Sequence, residues 1–598
     1  MAFMNRRDIS FILYELLDAG QLARFPFYHE HSRENFEAIL DVAEEIAREK
    51  FYPHNAKGDQ QEPVLVNGKV AIIPEVGEAL AAFGEAGFFA ATQDGDRDGI
   101  QLPFLISQAA MAFFLAANPG TSGYAFLTIA AANLLATFGS EEQKAAFLPS
   151  MLSGRFFGTM ALTEAGAGSS LADITTVAEP AGDGQYRIKG NKVFISGGEH
   201  ELAENIVHMV LARIKGAPAG VKGISLFIVP RYRLNGDGSR GEENDVALSG
   251  LIHKMGYRGT TSTMLNFGEN DRCIGYLVGK PHNGLPQMFH MMNEARIGVG
   301  MCATAIGYAG YLYSLDYARN RPQGRSPANR DAGSKQVMII EHADVRRMLL
   351  MQKAAVEGAL SLVLYVALLA DLHKASTDEA ERRNTGMLLD ILTPVVKAWP
   401  AEFCLEANNQ AIQILGGYGF TREYPVEQYY RDNRLNAIHE GTNGIQALDL
   451  LGRKLTMHDG AALSLLCVEI GKTISQASGE SSLNEWATEL AAALNLVKQT
   501  TGVLLAAREK VEPELFLANA SLYLQMFGHL VVAWMWLRQA QAATRQLPAA
   551  TESGADFYQG KMQACRYFFR WELPKIRHQA KLLSSLDDSC HAMRDNWF

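Results

Sequence analysis

Three textures of hydrophobic and polar positions follow one another along the chain. From Asp8 to about residue 156, apolar residues recur at three- and four-residue spacing, as in "FEAILDVAEEIAREKF" and "LTIAAANLLATF", which is the period of an amphipathic helix. "GSEEQKAAFLPSM" predicts a helix start: Ser140 and Gln143 stand at capping-box spacing, and Glu141 and Glu142 suit the positive end of the helix dipole. After Phe157 the pattern changes to short β-branched or aromatic runs, "YRIKGNKVFISGGE", "NIVHMVLARI", "GISLFIVPRY" and "STMLNFG", separated by Gly, Asn and Asp. These predict an antiparallel β domain to about residue 280, with "LNGDGSRGEEND" (234–245) as its long polar loop. Helical texture returns from about Leu285. "NEARIGVGMCATAIGYAGYLYSLDYARNR" gathers Gly and Ala on one face, which lets helices pack closely. "TMHDGA" then breaks the pattern, and 461–598 reads as a further helical domain. The expected organisation is a helical domain (1–157), an antiparallel β domain (158–284), a helical bundle (285–458) and an additional C-terminal helical domain (459–598). The fold class is mainly α with a central β domain.

Composition narrows the picture. A chain of 598 residues exceeds what one core supports, and 48% hydrophobic with 20% charged residues is ordinary for a globular protein. The net charge of -10 argues against bulk nucleic-acid binding. Six dispersed cysteines form no ligand spacing, so we expect a reducing, cytoplasmic setting and no metal site. In the first residues, Asp8, Glu15 and Asp18 interrupt any apolar run, and the segment does not read as a signal peptide. "LFLANASLYLQMFGHLVVAWMWL" (515–537) is long enough to span a bilayer, but Asn519, Gln525 and His529 interrupt it, which predicts a buried helix over membrane contact. In "KMQACRYFFRWELPKIRHQAKLL", Arg566, Arg570, Lys575, Arg577 and Lys581 interleave with aromatics. A solvated amphipathic face is expected there rather than a surface for nucleic acid or anionic lipid.

Three stretches are candidates for chemistry. In "GTMALTEAGAGSSLADI" (158–174), Gly166 and Gly168 with Ser169 and Ser170 form either a phosphate-facing turn or a plain strand-to-strand turn. The dinucleotide fingerprint fails there, because Leu171 stands where the third Gly belongs. In "KVFIS", strand alternation would turn Phe194 and Ser196 to one face, where a ring and a hydroxyl meet a flat partner or Phe194 joins the core. In "AIQILGGYGFTREYPVEQYYRDNRLNAIHEGTNGIQ" (411–446), clustered glycines signal a helix end and close backbone approach. A charged connector then leads to Glu440, and Thr442 or Asn443 can cap the next helix.

Taken in order, "MALTEAGAGSS", "KVFIS", "HKMGYRG", "NEARIGVG", "QILGGYGFTREYPVEQYYRD" and "IHEGTNGIQ" resemble the motifs of the flavin-dependent acyl-CoA dehydrogenases over about residues 30–455. The extension 461–598 resembles the enlarged branch that includes methylmercaptopropionyl-CoA dehydrogenases and some bacterial fatty acyl-CoA dehydrogenases. The resemblance implies FAD as cofactor and α,β-dehydrogenation of a fatty acyl-CoA, medium to long chain favoured, to the trans-2-enoyl-CoA. Glu440 would take the α-proton while the β-hydride passes to the flavin N5. Its own backbone N–H would bind the thioester carbonyl, with Gly441 permitting close approach to substrate. Some relatives carry the base on the helix that opens the third domain. Here that position is Ala295, and Glu294 is one residue, about 100° of helix rotation, away.

The same resemblance implies that Leu162 and Thr163 contact the flavin ring, that Phe194 covers it and that Ser196 bonds it. Gly168 and Ser169 would lie near the pyrophosphate, Ser169 also near the pantetheine, and Arg296 on the CoA side. Arg321, Gln413 and Gly417 would touch the cofactor of the other subunit of a homodimer, and Thr442 the flavin. Pro322 and Gly324 depart from the pattern after Arg321, and Gly444 replaces a common Gln. An electron-transfer flavoprotein is the implied electron acceptor. Alternatives are short-chain or 3-methylmercaptopropionyl-CoA specificity, oxidase behaviour and, in a different class, a flavin-containing alkylation-response DNA-binding protein.

Overall fold

The computed structural model describes residues 3–97, 99–328, 331 and 333–598, with the side chains of 289–292 left aside. The chain opens with α1 (Arg6–Ser10), whose N-cap Asn5 accepts the backbone N–H groups of Arg7 and Asp8. α2 (Arg33–Ile46) and α3 (Asn55–Gln60) lead to a hairpin, β1 (Val64–Val66) and β2 (Lys69–Ala71). Then come α4 (Pro74–Glu85), α5 (Phe104–Ala117), α6 (Pro119–Phe138) and α7 (Glu141–Leu152). The capping box is present as expected: Gln143 N–H donates to Ser140 Oγ at 3.2 Å and Ser140 N–H to Gln143 Oε1 at 3.1 Å.

The β segment comprises β3 (Phe156–Ala161), β4 (Val177–Gly182), β5 (Gln185–Ser196), β6 (Asn205–Ile214), β7 (Ile224–Pro230), β8 (Tyr232–Leu234), β9 (Arg240–Glu243), β10 (Val246–Leu251), β11 (Ser262–Phe267) and β12 (Ile274–Leu277). The helices α8 (Gly284–Asn320), α9 (Ala343–Ala375), α10 (Glu379–Leu415), α11 (Val426–Asn433) and α12 (Asn443–Gly452) follow. The extension supplies α13 (Ala461–Ser478), α14 (Asn484–Ala507), α15 (Pro513–Leu517), α16 (Ala520–Gln546), α17 (Glu552–Tyr567) and α18 (Lys575–Ser584). The chain forms two compact units, Glu34–Ala295 and Met1–Arg33 with Arg296–Phe598.

In the first unit the main sheet runs β10-β11-β5-β12-β7-β6-β3, and β4 pairs with both β5 and β6, closing β5, β12, β7, β6 and β4 into a ring. Ile188, Ile195, Val210, Phe227, Val229 and Leu265 fill its apolar core. The ladders are antiparallel as expected, except that β3 and β4 each run parallel to β6. A second core lies between α6, α7 and the sheet, where Leu135, Leu148 and Met151 pack on Phe156, Met209 and Leu226. The expected long polar loop 234–245 is instead largely a hairpin. β8 pairs with β9 across a turn in which Asn235 N–H donates to Ser239 C=O at 2.9 Å. Its charged strand residues hid a strand that needs no buried face.

In the second unit α9 and α10 pack along their lengths, and α16 packs on α9, α10, α12 and the other extension helices. The expectation of a buried helix at 515–537 holds, with a break at Ala518 and Asn519 between α15 and α16. Trp534 and Trp536 are buried and satisfied, their indole N–H groups donating to Thr473 Oγ1 (2.8 Å) and Ala354 C=O (3.0 Å). Small residues set the closest approaches: a Cβ on Gly528 would sit 2.5 Å from Trp399, and one on Gly358 2.8 Å from Trp536. α1, α9 and α17 meet at a buried ionic cluster. Lys561 Nζ donates to Asp8, to Glu357 at 2.8 Å and to Gln539 Oε1 at 3.0 Å, and Tyr308 OH donates to the other oxygen of Asp8 at 2.8 Å.

Candidate active site

In the unit Arg296–Phe598, Glu440 occupies a turn between α11 and α12. Its φ is +54°, and that of Gly441 is +84°. A glutamate in the left-handed region is uncommon, and such strain persists where the surroundings enforce it. Here they do. Gln446 Nε2 donates to the carbonyls of Glu440 (3.2 Å) and Gly441 (3.5 Å). Thr442 caps α12, its hydroxyl oxygen accepting from Ile445 N–H at 3.3 Å. Asn443 joins α12 to α10: its Nδ2 donates to Ala398 C=O at 3.4 Å and its Oδ1 accepts from Lys397 Nζ at 3.2 Å.

Glu440 is half-buried and its carboxyl lies above the ordinary range. Burial drives it up, and the nearby positive charges of Arg296 and Lys397 oppose that. Lys397 is pulled down to about 7, by burial first and by Arg296, against the pull of Glu440. His439 falls to about 3, by burial and then by Lys397, so it is neutral and brings no competing charge. Burial makes this carboxylate a stronger base than one in water, while the nearby positive charges oppose its protonation.

Arg296 lies in α8, 3% exposed, with its Nη1 3.4 Å from Asp449 Oδ2, while Arg453 holds the other oxygen of Asp449 at 2.7 Å. At the far end of α10, Gly416 (φ +60°) caps the helix on Gln413 C=O, and Arg321 lies over the Tyr418 ring at 5.6 Å. The structure thus brings Arg321, Gln413 and Gly417 to one place. Gln413, Gly416 and Gly417 are exposed, and a methyl added to either glycine would meet nothing within 4 Å. Pro322 and Gly324 begin an excursion that returns by pairing Pro322 with Met338.

In the unit Glu34–Ala295, the segment after β3 carries Leu162 and Thr163. Thr163 C=O accepts from Val193 N–H at 3.0 Å and Leu162 C=O from Lys192 Nζ at 2.9 Å. Glu164 and Ala167 exchange backbone bonds in a tight turn. Beyond it Gly168 and Ser169 are exposed, and a methyl on Gly166 or Gly168 would meet nothing within 4 Å. The turn is anchored from below: Glu164 accepts from Lys192 Nζ (2.9 Å) and from the N–H and hydroxyl groups of Thr175 and Thr176. The carboxyl of Glu164 is consequently held at about 2.

The alternation expected to turn Phe194 and Ser196 to one face is interrupted. A bulge opposite Thr263–Leu265 places Phe194 at φ +58° with its ring 65% exposed, while Ser196 is half-buried and paired with Ser262. Glu294 is exposed and accepts from Asn133 Nδ2 at 3.1 Å, whereas Ala295 is buried. Sequence reasoning missed Lys397, Gln446 and Lys192, and named Asn443 only as an alternative cap of the helix after Glu440. The available signal was a lone Lys in the apolar "LTPVVKAWPAEF" of α10.

This scaffold, helices before and after a central β ring with a strained glutamate between two helices, belongs to an oxidoreductase class acting on CH–CH groups. Profiles described as Acyl-CoA dehydrogenase N-terminal, middle and C-terminal domains match residues 33–155, 159–269 and 282–455, and Acetyl-CoA dehydrogenase C-terminal like matches 466–594. Butyryl-CoA dehydrogenase of Syntrophomonas wolfei is 34% identical, over 99% of this chain and 98% of that protein. 3-Methylmercaptopropionyl-CoA dehydrogenase of Ruegeria pomeroyi is also 34% identical, over 98% of each chain. The crystal structure of an acyl-CoA dehydrogenase complexed with FAD from Bacillus anthracis superposes with a TM-score of 0.74 at 21% identity, covering 94% of this chain and 90% of that one. The chain belongs to the acyl-CoA dehydrogenase family, flavoprotein oxidoreductases of fatty acid metabolism, with the additional C-terminal helical domain.

Proposed function

We propose that the protein is an FAD-dependent dehydrogenase of a straight-chain acyl-CoA thioester, with Glu440 as the base that removes the α-proton. The observation that carries this reading is the Glu440 turn: a strained, desolvated carboxylate under the electrostatic influence of the buried Arg296 and Lys397, followed by a glycine that permits close approach to the backbone. A thioester α-hydrogen is a very weak acid. Removing it calls for a base raised by burial and for N–H donors to the carbonyl oxygen that gains charge. Glu440 supplies the base, and its backbone N–H is one donor.

The residues present fit FAD. Phe194 offers an exposed ring and Ser196 a hydroxyl, and the Gly166–Ser169 turn is open. Leu162, Thr163, Gly168 and Ser169 would hold the cofactor from that turn; as the resemblance implies, Arg321, Gln413 and Gly417 would touch the cofactor of the other subunit of a homodimer, and Thr442 the flavin. When bound, FAD supplies the acceptor for the hydride of the β-carbon. Electrons would leave to an electron-transfer flavoprotein. By their names the relatives include butyryl-CoA, 3-methylmercaptopropionyl-CoA and broad-specificity linear acyl-CoA dehydrogenases, which supports a linear acyl group and leaves the medium-to-long expectation to the test below. A homodimer is the proposed assembly, checked by sedimentation.

The test is anaerobic mixing of the FAD-loaded protein with thioesters from butyryl- to stearoyl-CoA and with 3-methylmercaptopropionyl-CoA, following flavin absorbance before an artificial acceptor is added. Bleaching dependent on chain length establishes the reaction and its range. No bleaching with any thioester refutes it and favours the DNA-binding alternative. Against that alternative, three of the five basic residues singled out near the C-terminus are matched by acids: Arg570 with Glu485, Arg577 with Glu489 and Lys575 with Glu572.

A further inference from the structure

Lys397 sits in α10 between Pro394 and Pro400, fully buried. A lysine is seldom buried without a carboxylate partner. Here no carboxylate among the described residues comes within ion-pair reach, and the ammonium donates to a neutral amide, Asn443 Oδ1, at 3.2 Å. The same amide donates to Ala398 C=O, so Asn443 clamps the lysine's own segment of α10 to the start of α12. Asn443 stands three residues after Glu440, whose carbonyl is held from the other side by Gln446.

We propose that Lys397 is a positioning residue for Glu440: through Asn443 it fixes the turn, and its buried ammonium is the counter-charge that keeps the Glu440 carboxylate ionised and ready to accept a proton. This rests on the reading of Glu440 as the base.

The charged and titratable groups around it are few. Arg296 comes from α8, His439 and Glu440 from the turn, Asp449 from α12, and Arg453 from the residue that follows α12. Asp449 is occupied by the two arginines, Lys454 beyond α12 is paired with Asp390, and His439 is neutral. The charge that Lys397 answers is therefore that of Glu440. The shifts agree: Glu440 holds Lys397 up against burial, and Lys397 holds Glu440 down against burial.

The experiment is the pH dependence of flavin bleaching by the best thioester in FAD-loaded wild type, Lys397→Met and Lys397→Arg, with flavin content and melting temperature measured alongside. In Lys397→Met the rising acid limb should move to higher pH by about one unit, because a neighbouring opposite charge shifts a carboxyl by that order. Lys397→Arg should restore the limb, and above neutral pH its rate should fall below wild type, since arginine keeps the charge that a lysine near 7 gives up. An unmoved acid limb in Lys397→Met overturns the proposal, even with a reduced rate. Should Lys397→Met not fold, Lys397→Arg decides: a depressed alkaline rate supports the proposal and a profile superimposable on wild type overturns it. Failure of the parent reading shows separately, as bleaching retained by Glu440→Gln.

Discussion

Replacing Lys561 by Met should be among the most destabilising single changes in the chain. The side chain is fully buried, as is that of Asp8, and Glu357 is nearly so. In the wild type two cations, Lys561 and Lys353, face two anions, Asp8 and Glu357. After substitution Glu357 keeps Lys353, but among the described residues the Asp8 carboxylate keeps one hydrogen-bond donor, the hydroxyl of Tyr308, and only the more distant pull of Lys353. An uncompensated buried charge left by removing one partner costs about 3–5 kcal/mol. At the lower end of about 2–4 °C per kcal/mol for larger domains, the melting temperature should fall by about 5–10 °C. The loss should depend on pH with a definite sign. Burial already lifts the Asp8 carboxyl above its unfolded value, against the opposing pull of Lys561. Without Lys561 it rises further, so the folded variant binds a proton that the unfolded chain releases. Stability then grows as pH falls from neutral toward the ordinary carboxyl range. Urea unfolding at neutral and mildly acidic pH reads this directly. A melting point unchanged within about 2 °C, or a deficit of the same size at both pH values, would refute the argument.

Glu440→Gln preserves shape and should keep FAD and acyl-CoA binding while lowering turnover at least about 100-fold, measured as single-turnover bleaching. With the base intact, the bleaching rate should rise with pH through a value above the ordinary carboxyl range, because burial raises Glu440. A rise confined to that ordinary range would remove burial as the cause. Gly441→Ala forces an L side chain to φ +84° and puts its Cβ 2.6 Å from Gln446 Nε2. Denaturation should show a cost of about 1–3 kcal/mol, and kcat should fall as the Glu440 carbonyl loses its donor. Lys192→Met should cost about 3 kcal/mol and reduce FAD occupancy, since it strips Glu164 of its buried cation. The wild-type contribution of Glu164 is present above the ordinary carboxyl range and is lost as pH falls toward about 2, which acid titration of both proteins would show.

Much of this was legible from local signals. The capping box at Ser140, the helix end at Gly416 and the Thr442 cap are set by residues within four positions of one another, and each stands where periodicity and spacing put it. Glu440 was readable because its motif is contiguous. The bulge at Phe194 was not, because two residues opposite one is a property of the pairing with β11 and leaves no mark in β5 alone. The parallel partners of β6 were hidden for the same reason. Lys397 lay 43 positions from Glu440 in the numbering, and only the packing of α10 on α12 brings their charges together. The Asp8, Glu357 and Lys561 cluster was out of reach: its members look like solvated charges until the apolar surfaces of three distant helices close over them.

That cluster also constrains how the protein can be made. Asp8 leaves the ribosome 553 residues ahead of Lys561, its cation. Glu34–Ala295 is contiguous and can finish folding while synthesis continues, as domains generally do in order. The helix that begins the chain cannot. It must wait, with a carboxylate and an apolar face exposed, until α17 has been made, and closing so long a separation is intrinsically slow. Premature termination between Ala295 and α17 should therefore yield the unit Glu34–Ala295 able to fold beside an α1 with no Lys561 to pair Asp8, a species suited to chaperone capture rather than to partial activity.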